Sequence, residues 1–409
     1  MEFWVINKMK RIILISNTFP FKGETFLETE LNTVGKQYKI ELWPFFVDKS
    51  KRRKINLPKN IELHLFNNGK KDYVIAFISA LKIFLKEHEF KACLKKRSFV
   101  RNTIKGLKFA YISELRTISI DRWLKSYNDD QLIIYSYWMY ESAYVAARIK
   151  NKYPKFVFIT RCHGYDIYQE RHKRGYLPFR GFIIKNADLI FPVSENGKHY
   201  LEGLYGENIR NKIRVARLGT IRKNEIFSNR EKENTIVIVS CSNMVSVKRI
   251  DLIISALKAS KKRIHWYHFG DGELRNILKQ QARMLPQNIQ YSFMGYQPND
   301  IVQKFYADHY IDAFLNVSES EGIPVSIMEA ESYGIPIIAT NVGGTAEIVH
   351  DKKNGVLLKS NFMINELLDA IDEVIENADQ YRDEALRTWQ SMSNAHTVFS
   401  DFYKNLMEV

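Results

Sequence analysis

Two carboxylates, Glu321 and Glu329, stand eight residues apart in the segment Asn316 to Val349, NVSESEGIPVSIMEAESYGIPIIATNVGGTAEIV. Between them Gly322, Ile323 and Pro324 turn the chain, and apolar spacing predicts a helix from about Val325 to Tyr333. The first turn of a helix has N–H groups without intrahelical acceptors, and the helix dipole adds positive potential there, so such a start attracts anions. A carboxylate beside it accepts hydrogen bonds from paired hydroxyls, as on a sugar or a ribose. Together they suit a ligand that carries both phosphate and hydroxyls. On spacing alone the two glutamates are simply solvated helix charges. Gly334, Pro336, Gly343 and Gly344 shift that reading, because they punctuate two successive junctions as a backbone approached closely by a ligand requires. Glu347, just after the double glycine, is read as support for the next first turn.

Cationic and imidazole candidates lie upstream. Lys248 and Arg249 belong to SCSNMVSVKRIDLIISAL, and His163 to RCHGYDIYQE. A lone lysine is ordinarily a solvated charge, and a histidine directly after the apolar run FVFIT can be a satisfied core-edge residue. Asp166 and Tyr168 either join His163 or brace its loop. Glu24 and Glu28 fit helix capping better than ligand contact.

The elements that must position these residues are short apolar runs alternating with helical-period segments, the pattern of parallel sheets with crossover helices. In the first half the strands are read at Arg11 to Ser16, Ile40 to Val47, Gln131 to Tyr137, Phe156 to Thr160 and Asp188 to Val193. In the second half they are read at Thr235 to Ser242, Ile264 to Gly270, Ile289 to Gly295, Ile311 to Ser318, Gly334 to Thr340 and Gly355 to Lys359. A serine-capped helix follows the first set, and residues 365–384 read as one or two helices. The fold class is therefore α/β, two tandem Rossmann-like doubly wound parallel-sheet domains facing a central cleft. Their expected extents are residues 10–218 and 219–388, with a C-terminal helix in 389–409 packing back on the first domain. Ligands bind such sheets outside the carboxyl ends of the strands.

The chain has 409 residues, 45% hydrophobic and 26% charged, enough for two cores and incompatible with wholesale disorder. Its net charge of +15 is uneven: +18 over residues 1–200, +8 over 201–300 and −11 over 301–409. Three scattered cysteines offer neither a disulfide framework nor a zinc site. Lys8 and Lys10 interrupt the N-terminal apolar patch, which is too short for a signal peptide or span, and Met9 is an alternative start. A cytoplasmic protein is expected. There is no GxGxxG, no GxxxxGK[ST] and no Asp-x-Asp, which speaks against a dinucleotide enzyme, a P-loop ATPase and a metal-dependent transferase.

The segment SESEGIPVSIMEAESYGIPIIATNVGGTAEIV resembles the donor-binding signature of family 4 retaining glycosyltransferases, which have the GT-B fold. SCSNMVSVKRIDLIISAL, HFGDGELRNIL and FMGYQPNDIVQKFY are similar to the second-domain motifs of that family. ISNTFPFKGETFLETEL and RCHGYDIYQE are similar to its first-domain motifs. SVKRIDLI and SEGIPVSIMEA look most like the branch that builds bacterial capsule, exopolysaccharide or O-antigen repeat units.

The resemblance implies a metal-independent, retaining transferase of the hexosyltransferase type, acting on a nucleotide-sugar donor and needing no other cofactor. Glu329 would hold the ribose, Glu321 the transferred sugar, and the amides of Gly322, Ile323, Pro324 (as the turn) and Val325 would face the diphosphate or sugar. Lys248 would neutralise the leaving diphosphate, with Arg249 as a neighbour. Gly23 would let backbone approach the phosphates, and His163 would sit by the reacting face of the sugar. Asn243 departs from the family's usual Arg, losing one charge-assisted contact of about 1.5–3 kcal/mol unless another cation substitutes. The acceptor implied is a polyprenyl-diphosphate-linked saccharide at the inner face of the cell membrane, with the protein peripheral to that anionic surface. Residues 73–88, YVIAFISALKIFLKEH, read as an amphipathic helix too short to span, whose apolar face meets either membrane or core. Lys91, Lys95, Lys96 and Arg97 form the accompanying basic patch. Three other readings stand beside this one. The basic runs could track a nucleic acid, although no nucleic-acid module is present. Asn243 raises a catalytically weak accessory subunit of a glycosyltransferase complex. A nucleotide-sugar epimerase would act on the donor alone.

Overall fold

The computed structural model describes residues 11–21, 24–47, 57–94, 98–127, 132–172, 174–226 and 234–407. Gly23, Lys95, Lys96, Arg97, the first ten residues and most of the basic run 51–59 lie outside the described residues. The chain divides into two units, Met1–Ala216 with Phe399–Val409, and Arg217–Val398.

The first unit is built on β1 (Arg11–Ser16), β2 (Lys39–Pro44), β3 (Ile61–Leu63), β4 (Leu132–Ser136), β5 (Val157–Cys162) and β6 (Leu189–Pro192). Their spatial order is β3-β2-β1-β4-β5-β6, and every pairing is parallel. The second unit carries β7 (Ile236–Cys241), β8 (Ile264–Phe269), β9 (Ile289–Gly295), β10 (Ala313–Asn316), β11 (Ile337–Thr340) and β12 (Gly355–Leu358). Its order, β12-β11-β10-β7-β8-β9, is the same winding, again all parallel. Ile12, Ile13, Leu14 and Ile15 are wholly buried, as are Ile238 and Val239, because helices cover both faces of such a sheet. The strand order reverses between β1 and β4 and between β7 and β10, and the crevices outside those strand ends are the natural binding places.

Several expected boundaries shift for local reasons. β2 stops at Pro44 rather than Val47, although the amides of Phe45 and Phe46 still donate to the carbonyls of Ser16 and Asn17. β11 starts at Ile337, because Gly334, at φ +67°, is spent ending the preceding helix and Pro336 cannot donate. That helix runs Val325–Glu331, two residues shorter than expected. β3 is an edge strand of three residues, too short to stand out as an apolar run. The acidic stretch resolves into two helices, Ile364–Glu376 and Ala378–Thr388, and Ser194 caps Glu195–Tyr205 by accepting from the Gly197 amide at 3.1 Å.

The core of the first unit contains an ion pair with no solvent exposure. Arg161 on β5 lies 3.6 Å from Glu30, on the helix Thr25–Val34. Tyr135 and Tyr403 each donate to Glu30 at 3.1 Å, and Phe402 lies 4.4 Å from the Arg161 guanidinium. Tyr403 and Phe402 come from the Ala395–Met407 helix, whose Phe402 also packs on Phe191. Burial pushes the Glu30 carboxyl up, against the lowering pull of Arg161. Removing one member of a buried pair strands the other charge, at a cost of about 3–5 kcal/mol, whereas replacing both by apolar residues is often neutral. Arg161→Met is therefore expected to destabilise strongly in urea unfolding, and Arg161→Met with Glu30→Leu to recover most of the loss. A double variant as unstable as the single one would show that packing, not charge, dominates there.

Candidate active site

In the second unit the loops after β7 and β10 are clasped to their neighbours by backbone. Gly270, ending β8, has φ +135°, and a Cβ on it would lie 1.9 Å from the Ser242 carbonyl oxygen. Met244 donates to the Asp271 carbonyl at 2.9 Å, and Leu274 to that of Met244 at 3.0 Å. The β10 loop is held in the same way: a Cβ on Gly343, at φ +56°, would lie 1.9 Å from the Glu321 carbonyl oxygen, and Gly344 donates to Gly322 at 2.8 Å. The double glycine, read in the sequence as space for a ligand, is required first by the Glu321 loop itself. Glu319 then donates to the Val247 carbonyl at 2.8 Å, tying the β7 and β10 loops together.

These clasps bring two sequence candidates together. Lys248 Nζ donates to Glu321 Oε1 at 2.6 Å, and Asn316 at the end of β10 donates to the same oxygen at 3.3 Å. Beyond Gly322 and the buried Ile323, extended Pro324 opens the helix, and its carbonyl accepts from Ile327 and Met328. Val325 and Ser326 stand in the first turn, whose amides have no intrahelical acceptor. Glu329 projects from this helix, half-buried, and accepts from Asn299 at 2.7 Å. Burial raises its carboxyl to about 7, against the lowering effects of Asn299 and Lys223. Gln303 in turn donates to Asn299 at 3.0 Å, fixing the amide that grips Glu329.

Arg249 goes elsewhere. In the left-handed conformation, it donates to the carbonyls of Val317, Ser318 and Ser360, bracing the β10 loop from behind. The structure does not bring its guanidinium to the Lys248–Glu321 pair, so it does not fill the place left by the exposed Asn243. Glu347 pairs with Arg217 at 3.0 Å.

In the first unit the corresponding loops follow β1, β4 and β5. Glu24 is fully engaged there. One oxygen accepts from the amides of Thr18 and Phe19, at 2.7 and 2.6 Å, and the other from the Trp138 indole at 2.6 Å. Trp138 so held lies 4.2 Å from the His163 ring, which Tyr137 and Phe26 flank at 5.3 and 5.5 Å. Neither ring nitrogen of the buried His163 has a partner among the described residues. Burial, reinforced by the charge of Arg161, holds the ring well below its usual pKa, so it is neutral and offers one donor and one acceptor. Asp166 braces the loop by accepting from the amides of His163 and Met139, and the Tyr168 hydroxyl donates to Asn196.

Next to Trp138 opens a cavity of about 380 Å³ lined by Asn17, Phe46, Trp138, Tyr140, Glu141, Ser142 and Tyr165. Burial raises the Glu141 carboxyl to about 7, with Lys105 opposing. Sequence reasoning missed Trp138, Tyr140 and Glu141, although SYWMYES directly after β4 placed aromatics and a carboxylate at a strand end; it missed Asn299 too. Glu41, Glu62 and His64, at the edge of the first sheet, could together face a metal ion, but Arg11 and His64 already hold Glu41.

Residues 221–387 match the family profile described as glycosyl transferases group 1. The chain is 30% identical over 251 residues to an uncharacterized glycosyltransferase of Methanocaldococcus jannaschii, spanning 60% of this chain and 66%, just under two thirds, of that relative. It is 26% identical over 288 residues to the O-antigen biosynthesis glycosyltransferase WbnH of Escherichia coli, spanning 69% of this chain and 78% of the relative. Among solved structures, Anabaena HepE in complex with UDP and glucose aligns with a TM-score of 0.68 at 16% identity, over 98% of this chain and 100% of HepE. That likeness concerns the fold. The group 1 match lies within the second unit, and the two Rossmann-like units are wound as in the GT-B architecture.

Proposed function

We propose that this protein transfers a glycosyl group from a nucleotide-sugar donor to a saccharide acceptor in surface-polysaccharide synthesis, with retention of configuration. The observation that carries this reading is the Lys248–Glu321 contact of 2.6 Å on two loops tied by backbone, one of which leads into the helix that carries the Asn299-held Glu329. A cation held on one hydroxyl-accepting carboxylate, with a second carboxylate on the helix that follows, suits a ligand that carries both a diphosphate and sugar hydroxyls. The UDP and glucose bound by Anabaena HepE are in keeping with such a donor.

In this reading Glu329, oriented by Asn299, accepts from the ribose hydroxyls, and Glu321 from hydroxyls of the transferred sugar. Lys248 and the amides of the Gly322–Val325 turn stabilise the charge that builds on the departing diphosphate. The bond from the anomeric carbon to the phosphate oxygen breaks as the acceptor oxygen bonds to that carbon on the same face, and the acceptor proton passes to the departing phosphate oxygen. The neutral His163 ring hydrogen-bonds a substrate hydroxyl. The aromatic-walled cavity beside Trp138 receives acceptor sugar, with Glu141 accepting from its hydroxyls. The acceptor is a saccharide on a polyprenyl diphosphate, and the nucleotide sugar is the only co-substrate.

Lys248→Ala should lower kcat by about 10²–10³-fold, the loss typical of one transition-state electrostatic contact, while Glu329→Ala should mainly raise donor KM. Unchanged turnover in both would favour an accessory subunit. Proton couplings across the new linkage report the stereochemistry, and a β product from an α donor would refute retention. A panel of nucleotide sugars tested by thermal shift identifies the donor, since a ligand at 100 times its Kd adds about 2.7 kcal/mol. Glu329 also makes stability depend on pH. Its carboxyl is raised to about 7 in the folded chain, so the folded state holds that proton more tightly than the unfolded one. The resulting stabilisation is complete below the ordinary carboxylate range and is lost as pH rises through about 7. Glu329→Gln should flatten the fall in melting temperature across that window, and an identical profile in the variant would remove Glu329 as its source.

A further inference from the structure

The Lys70–Lys86 helix is apolar on two opposite faces. Ala76, Ala80, Ile83 and Phe84 are buried, and the helix packs through them on Phe99–Lys125, where a Cβ on Gly106 would meet Phe84 at 3.0 Å. On the other side Val74, Ile78, Leu81 and Leu85 follow one another at helical spacing in solvent, Val74 and Leu85 being 61% and 62% exposed. Phe77, more than half exposed, widens that stripe. A helix that is apolar all round ordinarily lies wholly inside a core, so an uncovered second face marks a docking surface.

The charge beside the stripe says what covers it. Lys82 and Lys86 are exposed on the same helix, and Lys91, Arg101 and Lys108 are exposed on the two that follow. The acids between residues 73 and 108 are Glu87 and Glu89, half-buried and buried respectively. Phe99, Val100 and Ile104 add exposed apolar groups at the start of the Phe99–Lys125 helix. Apolar side chains flanked by cations, with no exposed acid among the described residues of this stretch, complement a surface that is oily within and anionic at its rim. No described helix is long and apolar enough to cross a membrane.

We propose that the outer face of the Lys70–Lys86 helix, with the neighbouring cations, seats the first unit on an anionic lipid surface, the helix lying in the plane of the interface. Apolar insertion supplies the hold and the lysines and arginines the preference for acidic headgroups. This rests on the reading of a lipid-linked acceptor, which it supplies with a site of work.

The test uses the purified full chain, sedimented with phosphatidylcholine vesicles made with and without phosphatidylglycerol. Binding to the anionic vesicles is expected to be at least about tenfold tighter and to weaken with salt. Joint Val74→Ser, Ile78→Ser, Leu81→Ser and Leu85→Ser should abolish binding to both. Lys82→Gln with Lys86→Gln and Arg101→Gln should abolish only the anionic preference. Leu85→Glu alone, at a position 62% exposed, should weaken binding to both kinds of vesicle with minimal risk to folding. Thermal stabilisation by nucleotide sugars should be unchanged throughout; its absence in the parent chain would count against the proposed transferase and leave the lipid surface standing. Lack of vesicle binding by the parent chain, or undiminished binding by Leu85→Glu and the serine variant, would overturn the proposal. So would a lipid-free dimer of the parent chain that the serine variant dissolves, which would make a second copy the occupant.

Discussion

Backbone approach closer than any side chain permits is the constraint on which the second unit depends. Gly270 and Gly343 each put a strand-end loop against a neighbouring carbonyl at a distance where a Cβ would collide, and both adopt positive φ. The loops after β7 and β10 are therefore fixed before any ligand arrives. The Lys248–Glu321 contact follows from this: a flexible lysine makes a short, directed bond because the two loops carrying the pair already share the Glu319–Val247 hydrogen bond. Arg249 completes the support by donating to three carbonyls of the β10 and β12 loops. A long cationic side chain that reads as a ligand contact is here part of the frame.

The first unit reaches rigidity by another route. Its loops are held by carboxylates rather than by glycines: Glu24 clamps two amides and an indole, and Asp166 clamps two amides. The result is an aromatic wall that leaves the His163 ring buried yet without a partner among the described residues. A buried polar group in that state is costly unless something outside the chain satisfies it. Burial holds the imidazole neutral, and the charge of Arg161, itself paired with Glu30, reinforces it.

Much of this arrangement was legible in the sequence. Eleven of the twelve strands among the described residues stand out because a parallel sheet covered on both faces demands continuous apolar runs. β3 escapes because three residues between polar loops make no run. Glu321 and Glu329 were legible as candidates from residue type and position after a strand, Lys248 and His163 from the resemblance of their segments to family motifs. Where their atoms point was not. The turn of Arg249 toward carbonyls, the grip of Asn299 on Glu329 and the engagement of Glu24 with Trp138 depend on loops distant in sequence. Local spacing carries no trace of them. The helix at residues 70–86 posed a choice between core and outer surface, and the folded chain uses opposite faces for each.

The Ala395–Met407 helix has a consequence for the order in which the protein can be made. Its Tyr403 and Phe402 complete the surroundings of Glu30 and Arg161, yet they follow the whole of the second unit along the chain. A nascent first unit emerging from the ribosome thus carries an unfinished ion pair at its centre. It must wait through the synthesis of residues 217–398 before its interior can close. Domains ordinarily fold one after another during translation. Here the earliest unit is sealed by some of the latest residues, so a stalled or prematurely ended chain would present the cell with an open core rather than a finished half.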